Sequence, residues 1–66
     1  MSYTDYITIN GYEIKIVCER ANVVNAFYKK EDMWVHLIKM YSEDEDVIED
    51  YVGGALECKL RRESYK

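Results

Sequence analysis

Six carboxylates crowd into eight residues at Glu43, Asp44, Glu45, Asp46, Glu49 and Asp50, with no Lys or Arg among them. Such a density suits a hard cation or a basic surface. Calcium fails on spacing: Asp44-x-Asp46 opens like a calcium loop, but its sixth position falls on Glu49, where the sharp turn needs glycine. Zinc would have only Cys18, Cys58 and His36, three ligands on separate segments. His36, the sole histidine, sits in an apolar run, where a hydrogen-bonded structural role is expected ahead of general-base work. A thiolate-imidazole pair using Cys18 or Cys58 has no local motif behind it. Ser2, Ser42 and Ser64 stand at the terminus, at a helix start and in the tail, which are not nucleophile settings. Gly53-Gly54 follows a helix, whereas a phosphate-cradling loop precedes one. The expectation is a non-enzyme with no metal and no cofactor.

The carboxylates belong to a segment with its own start signal. Ser42 and Glu45 are spaced as a capping box ahead of an apolar run, predicting a helix start. Val47, Ile48, Tyr51, Val52 and Ala55 fall on one stripe expected to face a core. Gly53-Gly54 predicts its end, because glycine takes the left-handed conformation without penalty. Acids in the first turn suit the helix dipole. The pairs Glu45/Glu49 and Asp46/Asp50 repel by roughly 0.2–0.5 kcal/mol each, so helix stability alone does not account for them. A neighbouring Lys29, Lys30 or Lys39 would explain them blandly; a basic partner would explain them functionally.

Before the helix, Tyr6–Ile9, Asn10-Gly11 and Tyr12–Glu19 spell a hairpin closed by a two-residue type I′ turn. That turn sets Ile9 opposite Tyr12, Ile7 opposite Ile14 and Asp5 opposite Ile16, with Cys18 on the same inward face. Val23–Lys29 reads as a strand on its β-branched and aromatic content, with a short helix capped by Asn22 as the competing reading. Lys30-Glu31-Asp32 makes a polar turn. Met33–Tyr41 is apolar on both faces and is expected in the middle of a sheet. Beyond the glycines, Leu56, Cys58 and Leu60 alternate with Glu57, Lys59 and Arg61 as a last strand. The expected architecture is one α+β domain over residues 1–66. It has an antiparallel sheet of about five strands in the order β-β-β-β-α-β, with the helix packed on one face.

Sixty-six residues lie near the size at which one core only just offsets chain entropy, which makes a homodimer an attractive way to bury more surface. The net charge is −4, yet without Glu43–Asp50 the remainder carries nine cations against seven acids. An acidic chain argues against direct nucleic-acid binding, in spite of the basic run Lys59–Lys66. No leader signal and no apolar span is present, so a cytoplasmic location with two reduced cysteines is expected, a Cys18–Cys58 disulfide being the lesser alternative. Tyr3, Tyr6, Tyr28, Tyr41 and Tyr65 exceed what one small core hides, and tyrosine is favoured at interfaces.

Together these features describe a small acidic protein-binding module. It would act as a stoichiometric inhibitor or adaptor covering a basic, nucleic-acid-binding site of a partner, through Glu45, Asp46, Glu49, Asp50, Tyr41 and Tyr6. In size and composition the whole chain resembles the short, acidic, Tyr-rich, Pro-free proteins that bacteriophages and mobile elements encode against host defence systems or toxins. No motif carries that resemblance; it implies an anti-defence or antitoxin role and assigns no residue. The alternative is a homo-oligomer that binds a nucleotide or other small ligand between subunits.

Overall fold

Alternation and turn chemistry build most of the molecule. The computed structural model describes residues 3–20 and 22–64. Four antiparallel strands, β1 (Tyr3–Ile9), β2 (Tyr12–Cys18), β3 (Val23–Lys30) and β4 (Met33–Tyr41), lie side by side in chain order. One helix, α1 (Glu45–Ser64), follows them. The α+β class is as expected, but there are four strands rather than about five.

The first hairpin has the expected register, with Ile9 opposite Tyr12, Ile7 opposite Ile14 and Asp5 opposite Ile16. Positive φ at Asn10 (52°) and Gly11 (83°) makes the type I′ turn. Val23–Lys30 is a strand, which decides against the short helix. Its following turn also has positive φ, at Glu31 (52°) and Asp32 (65°), and it sets Lys30 opposite Met33.

β4 is an edge strand, not the central one that its apolar run predicts. A bulge explains the difference. Ala26 faces Ile38 while Phe27 faces His36, so Leu37 is one residue extra. The extra residue moves the inward side from Val35 to Ile38 and Met40, so a strand with one inner face carries apolar residues of both parities. At the other edge Asp5 points inward, and its Oδ1 accepts the Tyr6 N–H at 3.0 Å, a local satisfaction of a sheet-edge donor.

The helix covers β4 and β3 on the inner face. Ile48, Val52 and Leu56 meet Ile14, Ile16, Cys18, Val24, Ala26 and Tyr28 in one core. Two corrections concern its ends. Asp44, not Ser42, is the N-cap: its Oδ1 accepts the Asp46 N–H (2.9 Å) and its carbonyl the Ile48 N–H (3.0 Å), while Ser42 Oγ accepts the Asp44 N–H one step upstream (3.2 Å). At the other end, Gly53-Gly54 does not stop the helix, which continues through the predicted fifth strand to Ser64. Glycine there costs about 0.8–1.0 kcal/mol per residue relative to alanine. Burying Leu56 completely, worth about 1.5–3 kcal/mol, and packing Leu60 against the same core offset that cost. Arg61 and Arg62 in the last turn suit the dipole.

Candidate functional site

The helix face is rotated from the predicted stripe. Ile48, Val52 and Leu56 are buried and Ala55 is half-buried, but Val47 and Tyr51 stand on the surface. The tyrosines exchange roles accordingly: Tyr51 is exposed, whereas Tyr28, expected at an interface, is 1% exposed. Tyr28 donates its hydroxyl proton to Glu63 Oε1 at 2.7 Å, and Lys30 Nζ bonds the second oxygen at 3.0 Å.

This buried phenol and its carboxylate set opposite pH limits. Glu63 is held below its ordinary range, first by the Tyr28 hydroxyl and then by Lys30. Its contribution is complete above the ordinary value of 4.5 and is lost as pH falls through the lower folded value. Tyr28 is pushed up to about 12, first by burial and then by Glu63. Its contribution is complete below the ordinary 10.0 and is lost as pH rises toward about 12. Thermal melts of wild type and Tyr28→Phe should therefore diverge at neutral pH and converge as pH climbs from 10 to 12. Parallel curves across that window would assign the alkaline loss to other groups.

The six residues expected to bind a partner lie on two layers. Glu45, Asp46, Glu49 and Asp50 are exposed on the first half of α1. Tyr6 and Tyr41, 64% and 66% exposed, stand on the sheet face away from the helix, because Tyr6 pairs across from Lys15 and Tyr41 from Val23, both outward. Tyr65 lies outside the described residues. Among the carboxylates, Glu45 and Glu49 flank a small pocket with Tyr3, Asp5, Ile7, Ile16, Cys18 and Ile48. The pocket's volume of about 40 Å³ is close to one water's share of liquid and far below that of a ligand site. Tyr3's hydroxyl is held above its ordinary value, chiefly by the neighbouring Cys18 thiol.

Among the described residues, no cation comes within 4.0 Å of the four helix carboxylates. The ion pairs are Lys29–Glu13 (3.5 Å), Lys30–Glu63 (3.0 Å) and Arg61–Glu57 (3.4 Å). Lys29 and Lys30 are thus engaged elsewhere, and Lys39 lies over the Tyr41 ring at 6.0 Å on the opposite layer. Lys59, the first cation along the helix, is about 13 Å from Asp50 at 1.5 Å per residue, beyond the physiological Debye length of about 8 Å. Among the described residues, none pairs with the acidic ridge.

A second surface escaped the sequence reading. Tyr6, Lys15, Phe27 and His36 form one row across the open sheet face. Trp34 reaches over that face to Tyr6, with ring centroids 6.1 Å apart. Phe27 and His36 meet edge to face at 5.2 Å. His36 Nε2 lies 3.1 Å from Asn25 Oδ1, an acceptor, which selects the Nε2–H tautomer. The histidine is exposed yet hydrogen-bonded. Cross-strand pairing creates this cluster, so only the register could have revealed it.

Cys18 is buried in the sheet, and Cys58, expected inward on a strand, is exposed on α1; both are free. Among the described residues no three His, Cys, Asp or Glu side chains converge on a possible metal position, and no helix is long and apolar enough to cross a membrane. Compared with known proteins, the chain matches no family model, no curated protein and no solved structure.

Proposed function

We propose that this chain is a non-catalytic protein-binding module, an inhibitor or adaptor that covers a basic surface of a partner with the carboxylates of the first half of α1. One observation carries the reading: Glu45, Asp46, Glu49 and Asp50 are exposed with no cation within 4.0 Å among the described residues. Glu45/Glu49 and Asp46/Asp50 repel at helical spacing, and a cationic partner would relieve both repulsions. A row of closely spaced carboxylates also fits a surface built to hold phosphates, and long-range attraction would speed encounter. The reading places the chain in the cytoplasm, in keeping with two unpaired thiols, and extends to the anti-defence or antitoxin role that its size and composition imply.

The test is capture of a partner from the host lysate at low and moderate salt, comparing wild type with Glu49→Lys/Asp50→Lys. These positions lie beyond the first turn, so reversal leaves the dipole-favoured Glu45 and Asp46 in place and makes two favourable acid-to-Lys pairs. Folding stability should rise by a few tenths of a kcal/mol. Capture of a basic protein should weaken by about tenfold, or 1.4 kcal/mol, and lose most of its salt dependence. Equal capture by both proteins would remove the ridge from the interface.

A further inference from the structure

Net charge describes the whole chain, but the strands and helix separate the signs. The outward positions of β1–β4 carry Lys15, Lys29 and Lys39 against a single acid, Glu13. The acidic half of α1 lies behind the sheet. Lys15 Nζ sits between Phe27 and Trp34, 5.1 and 4.9 Å from their ring centroids. Lys29 Nζ is 5.8 Å from the Trp34 ring, and Lys39 Nζ is 6.0 Å from that of Tyr41. A ring face holds an ammonium in place without cancelling its charge. Among the described residues, Lys15 and Lys39 have no carboxylate within 4.0 Å, whereas Lys29 is paired with Glu13 at 3.5 Å on the same face and would have to exchange that partner for a phosphate. The face therefore presents fixed positive charge beside the exposed rings of Tyr6 and Tyr41 and the half-buried ring of Trp34.

We propose that this open sheet face binds single-stranded nucleic acid, with bases stacking on Trp34, Tyr6 and Tyr41 and phosphates meeting Lys15, Lys29 and Lys39. The charge selects an anionic occupant. Rings beside each ammonium select one whose anionic groups alternate with planar aromatic ones, which describes a single strand. An acidic peptide offers the charge without the rings, and a duplex hides its base faces within the stack. Few cations and an acidic helix one layer behind predict modest affinity that falls moderately as salt rises.

Trp34 is the only tryptophan, so stacking has a direct readout. Wild type is titrated with an oligothymidylate and an oligouridylate of about 12 nucleotides, within the range one small sheet domain occupies. Tryptophan quenching is expected, and the log–log salt slope should lie between about −1.4 and about −2, at about −0.7 per phosphate for Lys15 and Lys39 with Lys29 adding a third contact if it leaves Glu13. With labelled oligonucleotide anisotropy, Trp34→Ala should weaken binding by at least about fivefold. Lys15→Ala/Lys39→Ala should weaken it and flatten the salt slope, while Glu49→Lys/Asp50→Lys on the other layer should leave it unchanged or tighter. If Trp34→Ala does not fold, Tyr41→Ala at the exposed strand end takes its place, with an expected weakening of a few fold. Absence of quenching at the lowest salt would overturn the proposal, as would full binding by the folded ring variant. Equal or better binding of a duplex or of polyglutamate would overturn it too, the latter making the face a protein surface.

Discussion

Leu56→Ala should lower the free energy of unfolding by about 2–5 kcal/mol, while Cys58→Ser, two residues on, should change it by no more than about 0.5 kcal/mol. Leu56 is 0% exposed and wedged between the middle of α1 and the sheet. Truncating such a side chain costs about 2–5 kcal/mol, because the lost transfer energy is joined by a cavity that its neighbours only partly fill. A 66-residue chain has a total of about 3–10 kcal/mol at roughly 0.05–0.15 kcal/mol per residue. The single change therefore removes a large part of the margin. Cys58 is exposed on the other side of the helix, so a hydroxyl in its place meets water. On a strand, residues 56 and 58 would share a face and both substitutions would be costly. Urea unfolding followed by far-ultraviolet circular dichroism measures both, and comparable losses at the two positions would refute the helical placement.

The part of the fold that could be read from residues alone is the part in which local rules agree. At Asn10-Gly11, turn chemistry and two flanking alternations point to the same pairing, and the register follows residue for residue. Glu31-Asp32 makes a similar two-residue connection with positive φ but without glycine, so only its polarity marks it as a turn. In β4 the extra Leu37 reverses the parity of the inward face midway, and an edge strand then reads like a central one. Between Leu56 and Arg61 two periods fit at once. Leu56, Cys58 and Leu60 alternate, yet Leu56 and Leu60 also extend the four-residue spacing of Ile48 and Val52. The glycine pair favours the first reading, and the exposure of Cys58 between two leucines packed on the core decides for the second.

The candidate surfaces divide in the same way. Exposure of the carboxylates was legible because consecutive acids without cations have no place in a small core. Their split from Tyr6 and Tyr41 was not, since it depends on which sheet face the helix covers. Tyr28 and Tyr51 exchange places for a related reason: rotating the helix by part of a turn takes Tyr51 out of the stripe, and strand parity takes Tyr28 in. The row Tyr6, Lys15, Phe27 and His36 draws on four strands. No window of sequence contains it.

Gly53→Ala/Gly54→Ala should make the protein more stable, by about 1–2 kcal/mol for the pair. Both glycines lie inside α1, neither has positive φ, and a methyl group built at either meets no atom within 4 Å. Alanine then restricts the unfolded chain and favours the helix, with no steric cost in the folded state. For a domain of this size the gain corresponds to a rise in melting temperature of about 4–16 °C. Gly11→Ala supplies the opposite sign: its position also has free space, but φ is +83°, so a side chain there is strained whatever the room around it. The contrast isolates backbone conformation from packing, because all three sites are sterically open. If the double alanine variant instead lowered the melting temperature as Gly11→Ala does, Gly53 and Gly54 would have to adopt the left-handed conformation of a helix terminus. The chain beyond them would then be free to form the fifth strand, and Leu56 would lose its place against Val52 in the core.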